Sequence, residues 1–177
     1  MFEKKAVLIA SAFVFLSIPG ATVVNAQTPA APCYTLASVQ GQYAVVGIYG
    51  ANQAVTYAMS YYDGNGNYRS TFVVNEPTAG STTGARTIVT GTNVGTYTVN
   101  CDGTGVVTRV VTASNGVTAT QTDDFVITGG ITRFDAAFNP VLLATSMANS
   151  PRVSSAIVPG GVLLIRTITR LPDRTQQ

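Results

Sequence analysis

The sequence predicts an all-β fold: a single antiparallel up-and-down β-barrel of about eight strands, with a β-sandwich as the alternative. Three observations predict it. Apolar residues recur with a period of two in run after run, so alternate side chains face one side of a sheet. Asp-Gly and Asn-Gly corners separate these runs at hairpin spacing, because those dipeptides accept positive φ cheaply. Of 177 residues, 25 are threonine and 17 glycine, a mixture suited to pleated strands joined by tight turns.

The elements follow in order. Residues 1–26 have the layout of a signal peptide. Lys4 and Lys5 precede an apolar run over residues 6–18, Pro19-Gly20 breaks it, and Val24-Asn25-Ala26 offers small residues to a signal peptidase. An uncleaved anchor is the competing reading, but Pro19-Gly20 interrupts the stretch such a span needs. Residues 27–40 read as an N-terminal tether, 41–172 as the barrel and 173–177 as a C-terminal tail. Strand 42–49 is apolar on both faces. In strand 54–62, Val55, Tyr57, Met59 and Tyr61 share one face, and Thr56, Ala58, Ser60 and Tyr62 the other. Asp63-Gly64-Asn65-Gly66 turns the chain into strand 67–75, with Tyr68, Ser70, Phe72 and Val74 on one side. Residues 76–85 form a polar loop.

Residues 86–101 read as one long strand or two short ones, and Gly91 and Gly95 within them predict a bulge or sharp bend. Asp102-Gly103-Thr104-Gly105 and Ser114-Asn115-Gly116 bracket strand 106–113. Strand 117–127, Gly129-Gly130 and strand 131–138 follow, ended by Asn139-Pro140. Residues 141–159 are hard to read, with a short strand expected at 141–144. Strand 161–171 is last, stopped by Pro172. Tight links between neighbours and mid-strand glycines favour a barrel over a sandwich.

Gly41-Gln42-Tyr43, Asp63-Gly64-Asn65-Gly66 and residues 95–105 (GTYTVNCDGTG) together resemble small exported bacterial proteins of uncharacterised function, a group similar to allene oxide cyclase-like and calycin-like barrels. The resemblance covers residues 33–127 and loosens beyond. It implies a barrel whose interior holds a small apolar molecule. It brings no catalytic residue with it, because no cyclase active-site motif maps onto this sequence.

Much chemistry is excluded by what is missing. The chain has no histidine and no tryptophan, and its only lysines are Lys4 and Lys5 in the leader. Ser-His-Asp and Cys-His catalysis, histidine metal sites and lysine Schiff bases therefore have no residues to use. No glycine cluster leads into a helix to cradle phosphate. Beyond the leader, eight arginines face seven acids without clustering, which leaves no footprint for nucleic acid. No second long apolar run exists, so no integral membrane segment is expected after cleavage. No catalytic residue, cofactor or metal ligand is assigned. Cys33 and Cys101, in an oxidising compartment, most simply form a disulfide worth about 4 kcal/mol by loop closure; two separate thiols are the alternative.

A few residues remain as candidates. Asp123-Asp124 is the sole acidic pair, but neighbours on a strand point to opposite faces and do not share a site. One of them facing the interior would pair with an arginine. Residues 63–67 (DGNGN) start like a calcium loop, but Val74 occupies the closing position, so a plain hairpin turn is the better reading. Arg109, Arg133 and Arg166 lie within apolar strands, where an inward guanidinium would anchor a carboxylate and an outward one would cover apolar surface with its stem. Tyr43, Tyr57, Tyr61, Phe72 and Arg109 form the candidate ligand pocket, with ordinary core packing as the plainer explanation for the aromatics. The expectation is a secreted or periplasmic, non-catalytic small-ligand-binding or surface-associated module with a small apolar molecule as its partner. The alternatives are a cyclase- or isomerase-like enzyme working in the barrel interior and a structural or matrix protein assembling through strand edges.

Overall fold

A computed structural model describes residues 32–49, 54–154, 157 and 164–173. The expected signal peptide, the start of the expected tether and the last four residues of the expected tail lie outside them. The barrel prediction holds and the sandwich alternative falls. Eight strands, β1 (Gly41–Tyr49), β2 (Ala54–Tyr62), β3 (Asn67–Pro77), β4 (Arg86–Val99), β5 (Thr104–Ala113), β6 (Thr118–Phe134), β7 (Pro140–Pro151) and β8 (Leu164–Arg170), close in sequence order. Every pairing is antiparallel, and β1 pairs with both β2 and β8, so the wall has no open seam. The corners use the expected chemistry: Gly64 and Gly66 adopt φ of 83° and 99°, and Asp63 Oδ1 accepts the N–H groups of Asn65 and Asn67.

Period-two patterning sets the inside and the outside. In β3 the inward Tyr68, Ser70, Phe72, Val74 and Glu76 are buried, while Arg69, Thr71 and Val73 between them are exposed. The inward residues form two apolar clusters. One gathers Val39, Tyr43, Tyr62, Tyr97, Phe125, Met147 and Ile168 with their neighbours. The other gathers Tyr49, Phe72, Val74, Val89, Val111 and Leu164, with Ile157 between β7 and β8 joining it. The tether reading ends in a short 3-10 helix, Leu36–Val39, whose Val39 is fully buried in the first cluster. Cys33 and Cys101 form the expected disulfide, and the adjacent Tyr34 N–H donates to the Cys101 carbonyl at 3.2 Å.

Three strand expectations need correcting. β4 runs unbroken through Gly91 and Gly95, with regular pairing on both sides. These glycines make no bulge; at Gly91 a Cβ would run into the Phe72 ring and the Thr112 carbonyl. The irregularity lies instead at Gly129 and Gly130, inside a single β6 that joins two runs expected to be separate strands. β7 spans 12 residues instead of a short strand at 141–144; its Pro140 sits at the first position, where a strand tolerates proline.

β5 pairs with β6 only up to Val126, and β8 reaches β7 only from Ser146. The β6–β7 hairpin therefore extends past the strands on either side. Its tip is closed by Asp135, whose carboxylate accepts the N–H groups of Ala137 and Asn139. Phe134 and Phe138 stand 67% and 84% exposed there, and Phe138 adopts φ of 59°, a conformation costly for a bulky residue.

Candidate functional site: a charged belt inside the barrel

Between the two apolar clusters the interior is crossed by polar side chains on the inward parity of β2 to β8. Arg109 of β5 stands opposite Gln121 of β6, and Asn149 of β7 opposite Arg166 of β8. Asp123 of β6, with none of its surface exposed, lies between the two guanidiniums. Its Oδ2 accepts from Nη1 of Arg109, and from Nη1 of Arg166 at 2.9 Å. Its Oδ1 accepts from Nη2 of Arg166 at 3.4 Å. Arg109 Nη2 donates to Gln121 Oε1 at 3.2 Å, and Arg166 Nη1 also to Asn149 Oδ1 at 3.3 Å. Across the barrel, Asn93 donates to Ser70 Oγ at 2.6 Å, and the hydroxyls of Ser60 and Tyr68 are 3.1 Å apart.

Local sequence makes room for the two arginines. Gly95 pairs with Arg109, and a Cβ there would collide with the β5 backbone. Gly47 pairs with Arg166, and a Cβ there would come within 2.8 Å of Arg166 Cγ and 2.6 Å of Thr56 Cγ2. Small residues facing large ones are how a narrow barrel fills its interior.

The belt borders a cavity of about 40 Å³, lined by Arg109, Gln121, Asn149 and Arg166 on one side and by Phe72, Val74 and Ile157 among the apolar residues. A water needs roughly 10–15 Å³ on this measure, so the space holds about three. Two buried donors, Nε of Arg109 and Nε2 of Gln121, find no acceptor. Burial opposes the charge of Arg166, but the charge and hydrogen bonds of Asp123 outweigh it and hold the guanidinium above its ordinary pKa. Burial pushes the Tyr62 phenol well above its usual value, with the Tyr68 phenol adding to the shift; Tyr62 is neutral at ordinary pH.

The predicted site residues divide. Phe72 and Arg109 line the cavity. Tyr43 is inside the barrel but in the apolar cluster at the other end, its hydroxyl donating to the Ala144 carbonyl at 3.1 Å. Tyr57 and Tyr61 are on the opposite parity and face outward; Tyr57 is 56% exposed, and Arg69 lies over the Tyr61 ring at 4.7 Å. Those two leave the pocket. Arg166 is inward like Arg109, whereas Arg133 is outside on the projecting hairpin, 3.5 Å from Asp173. Asp123 and Asp124 face opposite ways as strand geometry requires, and Asp124 meets Arg152 at the surface.

Gln121, Asn149, Asn93, Ser70 and Ser60 were not among the expected site residues. One signal was legible: Gln121 and Asp123 share the inward parity of Phe125, so two polar groups sit where the pattern asks for apolar ones. Among the described residues no three acids or cysteines gather in a way that would hold a metal ion, and no helix is long and apolar enough to cross a membrane.

Fold and site together define a closed antiparallel barrel with a charged belt in its interior. Compared with protein-family models, with the curated proteins and with the solved structures, the chain matches none.

Proposed function

We propose that this is an exported, non-catalytic binding module that carries a small ligand in the polar middle of its barrel. The observation that carries the reading is the cavity itself, where buried arginine and amide side chains border a space that the apolar clusters leave unfilled. Two buried guanidiniums cost several kcal/mol each to desolvate, and a purely structural core gains nothing from them that apolar residues would not supply. The disulfide and the leader-like residues 1–26 support export.

The size of the space bears on the ligand. A pocket for a drug-sized molecule occupies roughly 300–1,000 Å³, so a cavity of about 40 Å³ suits a group of a few heavy atoms better than a lipid. The cyclase-like alternative asks for a carboxylate free to meet a substrate, and both oxygens of Asp123 are already bonded to arginine. Assembly through strand edges has no seam to use in the closed part of the wall, only the outer edges of the projecting β6–β7 hairpin. Surface association is a second reading, favoured by Phe134 and Phe138 on the projecting hairpin.

Native mass spectrometry of the protein purified from its own host tests the principal reading. A bound small mass, lost on unfolding, is the expected result; spectra that stay empty across preparations refute it.

A further inference from the structure

The belt carries one positive charge too many. Arg109 and Arg166 are 5% and 7% exposed, and among the described residues Asp123 is the one carboxylate that meets them. The other buried acid among the described residues, Glu76, lies further along β3 from Ser70 by roughly 20 Å of strand. Burial raises its pKa against the pull of Arg86. The phenols of Tyr49, Tyr62 and Tyr68 line the same cavity, and burial pushes that of Tyr62 well above its usual value, which keeps it uncharged. An uncompensated buried guanidinium is among the costliest things a core can hold, since an ion leaving water loses far more solvation than a hydrogen bond returns.

The unpartnered donors point to the same missing group. Gln121 spends its Oε1 on Arg109 Nη2, which commits its amide nitrogen as a donor, and that nitrogen has no acceptor. Arg109 Nε, on the cross-strand neighbour, has none either. Two N–H donors beside an excess positive charge match a planar anion that accepts through two oxygens. The volume limits it to a few heavy atoms, and the apolar side of the lining, Phe72, Val74 and Ile157, offers such a ligand nothing polar beyond its charged end.

We propose that the belt is a binding site for a small monovalent anion, of carboxylate type and between formate and acetate in size, whose charge balances Arg109 and Arg166 against Asp123. This rests on the binding-module reading above and gives its ligand a chemistry. The anion sits among groups already aligned by the barrel wall, so binding requires little reorganisation of the strands.

The test uses the full exported chain, dialysed into a zwitterionic buffer with sodium sulfate as the ionic-strength control, because sulfate is divalent. Thermal unfolding and calorimetric titration with sodium formate, acetate and chloride are read at constant sodium. A saturable rise in Tm on the order of 5–10 °C at about a hundredfold excess over Kd is expected; formate and acetate against chloride separate a carboxylate site from a halide site. Gln121→Glu supplies the missing charge covalently, so it should unfold at higher temperature than wild type in anion-free buffer and lose the response. Arg109→Met, which leaves Arg166 and Asp123 as a one-to-one pair, should lose the response too. The proposal is overturned if wild type shows no saturable response to formate or acetate, whatever chloride does, or if both variants respond as wild type does. A neutral molecule found by native mass spectrometry, with no anion response, would sink the anion while leaving the binding module standing; no mass and no response would remove both.

Discussion

Asp123 and Asp124 stand side by side in β6 and each bonds arginine, yet the wall of the barrel separates them. Asp124 is outside, 2.6 Å from Arg152, with both side chains more than half exposed. Asp123 is inside with no exposed surface, shared between Arg109 and Arg166. One-residue alternation along a strand is enough to make this difference. Outside, water screens the pair and already solvates each partner, so the contact contributes little. Inside, neither partner has bulk solvent to fall back on, and loss of one leaves the others stranded. The same two residue types thus act as surface decoration on one face and as a structural obligation on the other. An interior that accepts such an obligation is the arrangement on which the proposed anion site rests.

The comparison breaks most visibly at Asp123. Asp123→Asn keeps the shape and removes the only negative charge in the belt, leaving two buried guanidiniums facing each other. A loss of about 3–5 kcal/mol in unfolding free energy is expected, read from urea midpoints. A value within about 1 kcal/mol of wild type would mean that the belt does not depend on Asp123 for its balance.

Gly47→Val comes next. The new side chain would press on Thr56 and on the stem of Arg166, and overpacking of this kind costs about 1–3 kcal/mol. Because Arg166 must move, the variant should also weaken any ligand bound at the belt. Unchanged stability and unchanged binding together would show that the wall yields at Gly47, and that this glycine does not set the position of Arg166.

How far the sequence foretold this site depends on which physical signal each part used. Strand parity and corner chemistry are local, so the faces of β2 and β3, the 63–66 turn and the opposed Asp123 and Asp124 were all legible. Closure was legible less directly, through short links and mid-strand glycines. What local signals do not carry is the partner across the barrel. The glycines at 91 and 95 looked like bends, because their reason, the space taken by Phe72 and by the neighbouring backbone, lies on other strands. β7 looked irregular because Ala144, Ser146, Ala148 and Ser150 blur the contrast between its faces. Tyr57 and Tyr61 looked like pocket residues because they lie with Val55 and Met59 on the more apolar face of β2, yet that face is the outer one and the face of Thr56, Ser60 and Tyr62 is buried.

Tyr62 gives a smaller effect, at alkaline pH. Its phenol is raised by burial, so the folded chain holds that proton at pH values where the unfolded chain has released it. Stability tied to Tyr62 is therefore complete below about pH 10 and is lost as pH rises further. Tyrosinate absorbance followed alongside circular dichroism should show ionisations that wait for the barrel to open, that of Tyr62 with those of Tyr43 and Tyr97, and Tyr62→Phe should lessen the alkaline fall in stability. An ionisation complete while the dichroism is still native would contradict the burial of Tyr62.

The smallest effect belongs to Asp124, and its smallness is the point. The Arg152 hydrogen bonds hold the Asp124 carboxyl below its ordinary pKa. Folding therefore gains from this ion pair above the unfolded value of about pH 3.9, and that gain disappears as pH falls through the lower folded value. Asp124→Asn should match wild type near neutrality within the error of a urea titration, because both partners are exposed and screened. Any difference should shrink as the medium is acidified, since wild type then loses the charge that the variant never had. A marked loss of stability in this variant at neutral pH, comparable to that of Asp123→Asn, would show that the barrel wall does not divide the two aspartates into different electrostatic environments.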